Sequence, residues 1–192
     1  MTMLRDEALR VLARHVTDDD IVVAVYTTAF DWIAIRNSPL NYIMTGAMGL
    51  GSSHALGLAL GRPDKRVLVL DGDGSLLMNL GTLVTVAEVA PRNLIHFVFE
   101  NGTYEANGSH RTPAHGHVDF SGLAAAAGYR SCHTFDDLAV LANDIGTVVG
   151  QPGPVFVTMK VEPGVSPKFD YDYMHGSHVR KAFKAALANA PV

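Results

Sequence analysis

Continuously apolar, β-branched runs alternate along this chain with segments in which apolar residues recur every three or four positions. Residues 4–15 follow the second pattern, with Leu4, Ala8, Val11 and Leu12 on one face, and predict a helix. "IVVAVYT" (21–27) and "RVLVLD" (66–71) are buried strands by their β-branched content, and between them "MGLGSSHALGLALG" (48–61) reads as a small-residue helix packed closely on a neighbour. A helical stretch after residue 75 is stopped by Pro91, and "LIHFVFE" (94–100) is a third strand. A polar loop then leads into "DFSGLAAAAGY", a helix opened by Asp119 and closed by Gly128. "FDDLAVLANDIG" gives one more helix and "GPVFVTMKVE" (153–162) one more strand. From residue 166 the tail begins irregularly, with three aromatics within five residues, and ends as a basic amphipathic helix that closes the domain at its surface. Strands apolar on both faces and separated by helices predict an α/β fold: an open parallel sheet with helices on both faces.

Composition narrows what such a fold can do. With 48% hydrophobic residues, 192 residues bury one sizeable core, so residues 1–192 are expected to form a single domain. A formal charge of −4 without any Lys/Arg block leaves no electrostatic footprint for nucleic acid or an anionic membrane. The one cysteine, Cys132, excludes an intramolecular disulfide framework and a thiolate metal cluster built by this chain alone. The N-terminus mixes charged and apolar residues at helical spacing, unlike a signal or transit peptide, and no apolar stretch would span a bilayer. A soluble cytoplasmic protein is expected.

Ligands of open parallel sheets gather outside the carboxyl ends of the strands. Two polar, Gly-rich segments fall there: "GDGS" (72–75) after the second strand and "ENGTY" (100–104) after the third. Asp73 sits between Gly72 and Gly74 on a turn that a ligand can approach closely, and Ser75 is expected to open a helix whose free N–H groups suit a phosphate. Magnesium takes hard oxygen ligands from carboxylates, amides, phosphates and water. Asn101 offers an amide oxygen and Thr103 a backbone carbonyl. Alone, GDG is a common tight turn and ENG a common strand end. Their pairing across one strand–helix–strand unit, with 28 positions separating residues 73 and 101, is far more specific. The Gly-rich nucleotide fingerprint and the P-loop are both absent.

This pairing resembles the thiamine-diphosphate-binding motif, in which GDG is followed by two consecutive asparagines. Asn101 matches the second asparagine, and Glu100 stands where the first is usual. The resemblance implies thiamine diphosphate and Mg2+ as cofactors, with Asp73, Asn101 and the Thr103 carbonyl on the metal and Gly72, Gly74 and Ser75 about the diphosphate. "NGTYEA" is similar to the corresponding stretch of benzoylformate decarboxylase. "TGAMGLGSSHALGLALG" (45–61) resembles the segment that opens the diphosphate-binding domain in decarboxylases and acetolactate-synthase-like enzymes. That likeness implies that the Gly46 carbonyl receives the pyrimidine amino group and that Met48 wedges between the cofactor rings. Core filling is the plainer explanation for an isolated Met, but the GDGS further along the chain favours the cofactor role.

Enzymes of this group also use a pyrimidine-binding domain, whose glutamate activates the cofactor, and 192 residues leave no room for it. The resemblance therefore implies a partner: a pyrimidine-binding (alpha) subunit on a separate chain, in a hetero-oligomer. GAMG, GDGSLLMNLGTLVT and NLIHFVFENG look most like the sulfopyruvate decarboxylase beta subunits and the phosphonopyruvate decarboxylases. Expected substrates are small 2-oxoacids, namely sulfopyruvate, phosphonopyruvate or a similar acid. The sequence departs from those relatives beyond the motif, where "NGSHRTP" replaces their Gly-Gly-Gln-Pro-Thr segment. His110 and Arg111 in that loop are candidates for holding a substrate carboxylate or relaying a proton, beside the plain reading of a solvated loop. His110, His115 and His117 lack a fixed ligand spacing, which speaks against a metal cluster. Two other functions share these motifs: a carboligase subunit, and a noncatalytic regulatory subunit that keeps the fold. An oxidoreductase of the ferredoxin-linked type fits less well, since its iron–sulfur clusters require cysteines that the chain lacks.

Overall fold

The computed structural model describes residues 3–113, 115–164 and 170–188. Strands β1 (Ile21–Val25), β2 (Asn41–Met44), β3 (Val67–Gly72), β4 (Leu94–Glu100), β7 (Ser131–Phe135) and β8 (Val155–Lys160) form one sheet, and β5 (Thr103–Tyr104) and β6 (His110–Arg111) form a separate hairpin. The sheet order is β2-β1-β3-β4-β8-β7, and every neighbouring pair is parallel. Parallel strands need cover on both faces, and the side-chain alternation supplies it. In β1, Val22 and Ala24 face helices α1 (Arg5–Ala13), α2 (Tyr26–Ile35) and α7 (Leu138–Val149), which bring Leu12, Trp32 and Ile145 to that layer. Ile21 and Val23 face the other layer, made by α3 (Gly51–Gly61), α4 (Asp73–Leu77), α5 (Gly81–Val89), α6 (Phe120–Ala127) and α9 (Ser177–Ala188).

The expected open parallel sheet with helices on both faces is therefore present. Strand β4 occupies the predicted residues 94–100. Helix α6 is capped as expected, with Asp119 accepting from the Gly122 amide at 2.9 Å and Gly128 left-handed at φ 108°.

Several boundaries differ from expectation, each for a local reason. Helix α1 starts at Arg5, so Leu4 is its N-cap and is 46% exposed; Leu9 joins Ala8, Val11 and Leu12 on the buried face instead. The strand expected to reach residue 27 ends at Val25, because Tyr26 adopts φ 46° and the chain turns at once into α2. The small-residue helix begins at Gly51 rather than residue 48. The helical stretch after GDGS divides into α4 and α5 around Met78–Leu80, and left-handed Ala90 ends α5 before Pro91. The tail holds two helices, α8 (Tyr171–His175) and α9, the latter anchored by buried Phe183 edge-on to Tyr42 at 5.2 Å. Residues 165–169, the irregular start of the tail, lie outside the described residues. Among the described residues no helix is long and apolar enough to cross a membrane.

The strand order has a functional consequence. From β1 the chain crosses to β2 on one side, then returns through α3 to β3 on the other side of β1. Such a reversal leaves a crevice at the carboxyl ends of the two inner strands. Here those ends are Val25 and Gly72.

Phe97 in β4 is fully buried, so Phe97→Ala should cost about 3–5 kcal/mol in urea unfolding of the chain. Val84→Ala, at a position 61% exposed, should stay within about 0.5 kcal/mol of wild type.

Candidate functional site

Adjacent parallel strands β3 and β4 end side by side, with Gly72 in register with Phe99. The loops that leave the two strands are thereby brought together. The Gly102 amide donates to Asp73 Oδ2 at 2.9 Å, and the Thr112 hydroxyl lies 3.5 Å from the same oxygen. Asp73 is 1% exposed. Burial pushes its carboxyl up to about 6, against the pull of the Gly74, Gly102 and Asn101 amides, which favour the charged form. The Asn101 amide oxygen accepts from the Thr103 amide at 2.8 Å and, at a longer 3.3 Å, from the Thr103 hydroxyl, folding the segment into a tight turn; rotation of that hydroxyl would free a lone pair for a metal. Behind the turn, Asp71 accepts the Gly72 amide at 2.9 Å, and His96 Nε2 lies 3.5 Å from the second Asp71 oxygen.

One cleft is lined by Met48, Gly72, Asp73, Gly74, Ser75, Asn101 and Thr103 together. Of the residues expected at the site, Gly46 and the loop candidates His110 and Arg111 lie outside that lining. A Cβ added at Gly46 or Gly72 would meet nothing within 4 Å, so the backbone there faces open space that a ligand can fill. Gly74 differs. A Cβ at that position would come within 2.6 Å of the Tyr104 ring, so its missing side chain makes room for Tyr104 rather than for a ligand. Ser75 also differs from expectation: α4 begins at Asp73, and the Ser75 hydroxyl accepts the Gly49 amide at 3.0 Å, tying the Met48 segment to the GDGS turn.

A diphosphate-bound divalent cation suits this donor set. A buried carboxylate, an amide oxygen and backbone facing open space are hard oxygen donors and a cradle, and a cation beside Asp73 would offset the cost of burying its charge.

The β5–β6 hairpin pairs Thr103 with Arg111 and Tyr104 with His110. His110 and Arg111 are exposed on its outer strand. His115 and His117 are exposed too, and His115 packs against Gly102, where a Cβ would fall 2.0 Å from its Nδ1. Glu100 stands outside the cleft. It is in register with Lys160 of β8, one of its oxygens is buried without a hydrogen-bond partner, and burial raises its pKa.

Some lining residues carried no sequence signal. Val25, Tyr26, Thr27 and Thr28 form one wall where β1 turns into α2, and Arg5 and Glu105 form another. A positive φ at Tyr26 and an ion pair between residues 100 positions apart leave no pattern in sequence.

Residues 23–159 match the family described as thiamine pyrophosphate enzyme, C-terminal TPP binding domain. The chain is 37% identical over 174 residues to the sulfopyruvate decarboxylase subunit beta of Methanothermobacter thermautotrophicus, covering 90% of each protein. It is 34% identical over 182 residues to the phosphonopyruvate decarboxylase of Streptomyces viridochromogenes, covering 95% of this chain but only 45% of that longer protein. The benzoylformate decarboxylase structure from Polynucleobacter necessarius shares the fold at a TM-score of 0.71, with 19% identity over 85% of this chain and 34% of that one.

The raised Asp73 pKa has a pH signature. In the metal-free chain its contribution to stability is fully present below the ordinary carboxylate range and is lost as pH rises through about 6. Urea midpoints compared between pH 5 and pH 7.5 should fall more in wild type than in Asp73→Asn, which cannot ionise there. Equal falls in both proteins would contradict the assignment.

Proposed function

The chain belongs to the thiamine pyrophosphate enzymes, as their C-terminal TPP-binding domain, and from that premise we propose that it is the diphosphate-binding subunit of a two-subunit, Mg2+-dependent 2-oxoacid decarboxylase. The observation that carries this reading is the 90% mutual coverage with a stand-alone decarboxylase beta subunit. The 192 residues then act as one such domain, with Asp73, Asn101 and the Thr103 carbonyl as the protein's metal ligands and Gly72 as open backbone beside the diphosphate. Met48, half-buried at the cleft, would wedge between the cofactor's rings, and Gly46 would offer its carbonyl to the pyrimidine. Thiamine diphosphate supplies the electron sink that takes the bonding pair when carbon dioxide leaves a 2-oxoacid.

On this reading the activating glutamate comes from the partner. Glu105, the acidic residue lining the cleft beside Asp73, is held by Arg5 and the Gly164 amide. Leu50 (46% exposed) and Met78 (52%), the latter against Gly49, leave apolar surface beside the Met48 segment, which suits a subunit interface. A noncatalytic subunit would have no use for Asp73, Asn101 and Met48 in one cleft, and all three are there. The substrate class is a short 2-oxoacid, with 3-sulfo and 3-phosphono pyruvate as the leading members.

The test is decarboxylation of a 2-oxoacid panel that includes those two acids, by the chain with and without its pyrimidine-domain partner. Turnover is expected only with the partner; robust turnover by the lone chain would contradict the split site. Met48→Ala should also slow deuterium exchange at the thiazolium carbon of the bound cofactor while Met48→Leu changes it little. Exchange at the wild-type rate in Met48→Ala would return Met48 to the core.

A further inference from the structure

We propose that Arg5, in the first turn of α1, is a positioning residue for the metal-binding loop, acting through Glu105. This role rests on assigning Asn101 and Thr103 to the metal. Glu105 opens a one-turn 3-10 helix, Glu105–Asn107, just after β5, two residues beyond Thr103 and four beyond Asn101. Its side chain is 2% exposed and both its oxygens are engaged. Arg5 donates to Oε2, and the Gly164 amide donates to Oε1 at 2.8 Å.

Arg5 is itself held in place. Its side chain is 6% exposed, and its Nε donates to Asp31 Oδ2 of α2 at 2.6 Å. The neighbouring backbone adds a second tie, because the Glu162 amide donates to the Met3 carbonyl at 2.9 Å and the Val161 amide to the Glu100 carbonyl at 3.0 Å. The segment bearing Asn101 and Thr103 is thus clamped at Glu100 and again at Glu105, the second clamp reaching across 100 residues of sequence.

Stability alone is a poor reason for such a network, since the desolvation of buried ion pairs commonly cancels their Coulomb gain. Geometry is a better one. A planar guanidinium bonded to two carboxylates on different elements fixes both in direction as well as distance. Groups that orient metal ligands in this way typically change metal affinity when altered.

Two conservative variants test the role while keeping the fold. Glu105→Gln keeps the size and the acceptor for Gly164 but loses the charge that Arg5 grips. Arg5→Lys keeps the charge but cannot bond both carboxylates in the same geometry. Free Mn2+ would be counted by electron paramagnetic resonance in the assembled complex with thiamine diphosphate added, beside a thermal melt of each variant. Each variant should weaken Mn2+ binding by about ten-fold or more, and the double variant should be no worse than the weaker single, because the two residues act along one path. Wild-type Mn2+ affinity in both variants, even with a lowered melting temperature, would reduce the network to a structural role and overturn the proposal. Failure of the wild-type complex itself to bind Mn2+ with the cofactor would overturn the metal assignment, and this role with it.

Discussion

The 2.9 Å hydrogen bond from the Gly102 amide to the Asp73 carboxylate joins two loops that the sequence keeps far apart. It exists because β3 and β4 are parallel neighbours that end at the same height. Antiparallel strands joined by a tight turn would place the corresponding loops at opposite edges of the sheet. The parallel pairing is possible in turn because helices bury both faces, with Phe97 and Leu68 under one layer and Val98 and Val69 under the other. The apolar alternation that builds the core is therefore what sets Asp73 beside Asn101.

A carboxylate buried in this way is costly without a cation. Three backbone amides favour its charged form, yet burial outweighs them and lifts the carboxyl to about 6. This imbalance is the reverse of what a purely structural aspartate shows at a helix start, where a side chain such as Asp137 accepts two amides in the open and is drawn below its ordinary value. A divalent metal carrying a diphosphate would complete the Asp73 environment. The Tyr104 ring over Gly74 and the Thr112 hydroxyl beside the carboxylate close the site from the hairpin side.

The sequence made the chemistry more legible than its scaffolding. GDGS and ENGTY could be read because their residue types are dictated by local backbone demands, and 94–100 could be bounded because its apolar run stops abruptly at Glu100. Helix α2 was not visible: "YTTAFDWIAI" carries its buried residues almost in one run, without a clean helical stripe, and it starts at a strained Tyr26. The edge strands β2 and β7 are short and only half-covered, so "NYIM" and "SCHTF" lack the continuous apolar signature of the inner strands. Arg5 had no sequence signal, since nothing local marks a residue whose partners lie at positions 31 and 105. The loop reading at His110 rested on nearness in sequence to the motif, whereas the structure leaves that residue exposed on the hairpin and outside the cleft lining.

The central claim is that Asp73 and Asn101 hold a metal that anchors a diphosphate. Calorimetric titration of thiamine diphosphate into the assembled complex, with Mg2+ and then with the metal chelated, tests it most directly. The account predicts saturable binding that requires Mg2+ and is abolished in a folded Asp73→Ala variant. Equal binding with and without the metal, or wild-type affinity in Asp73→Ala, would contradict it.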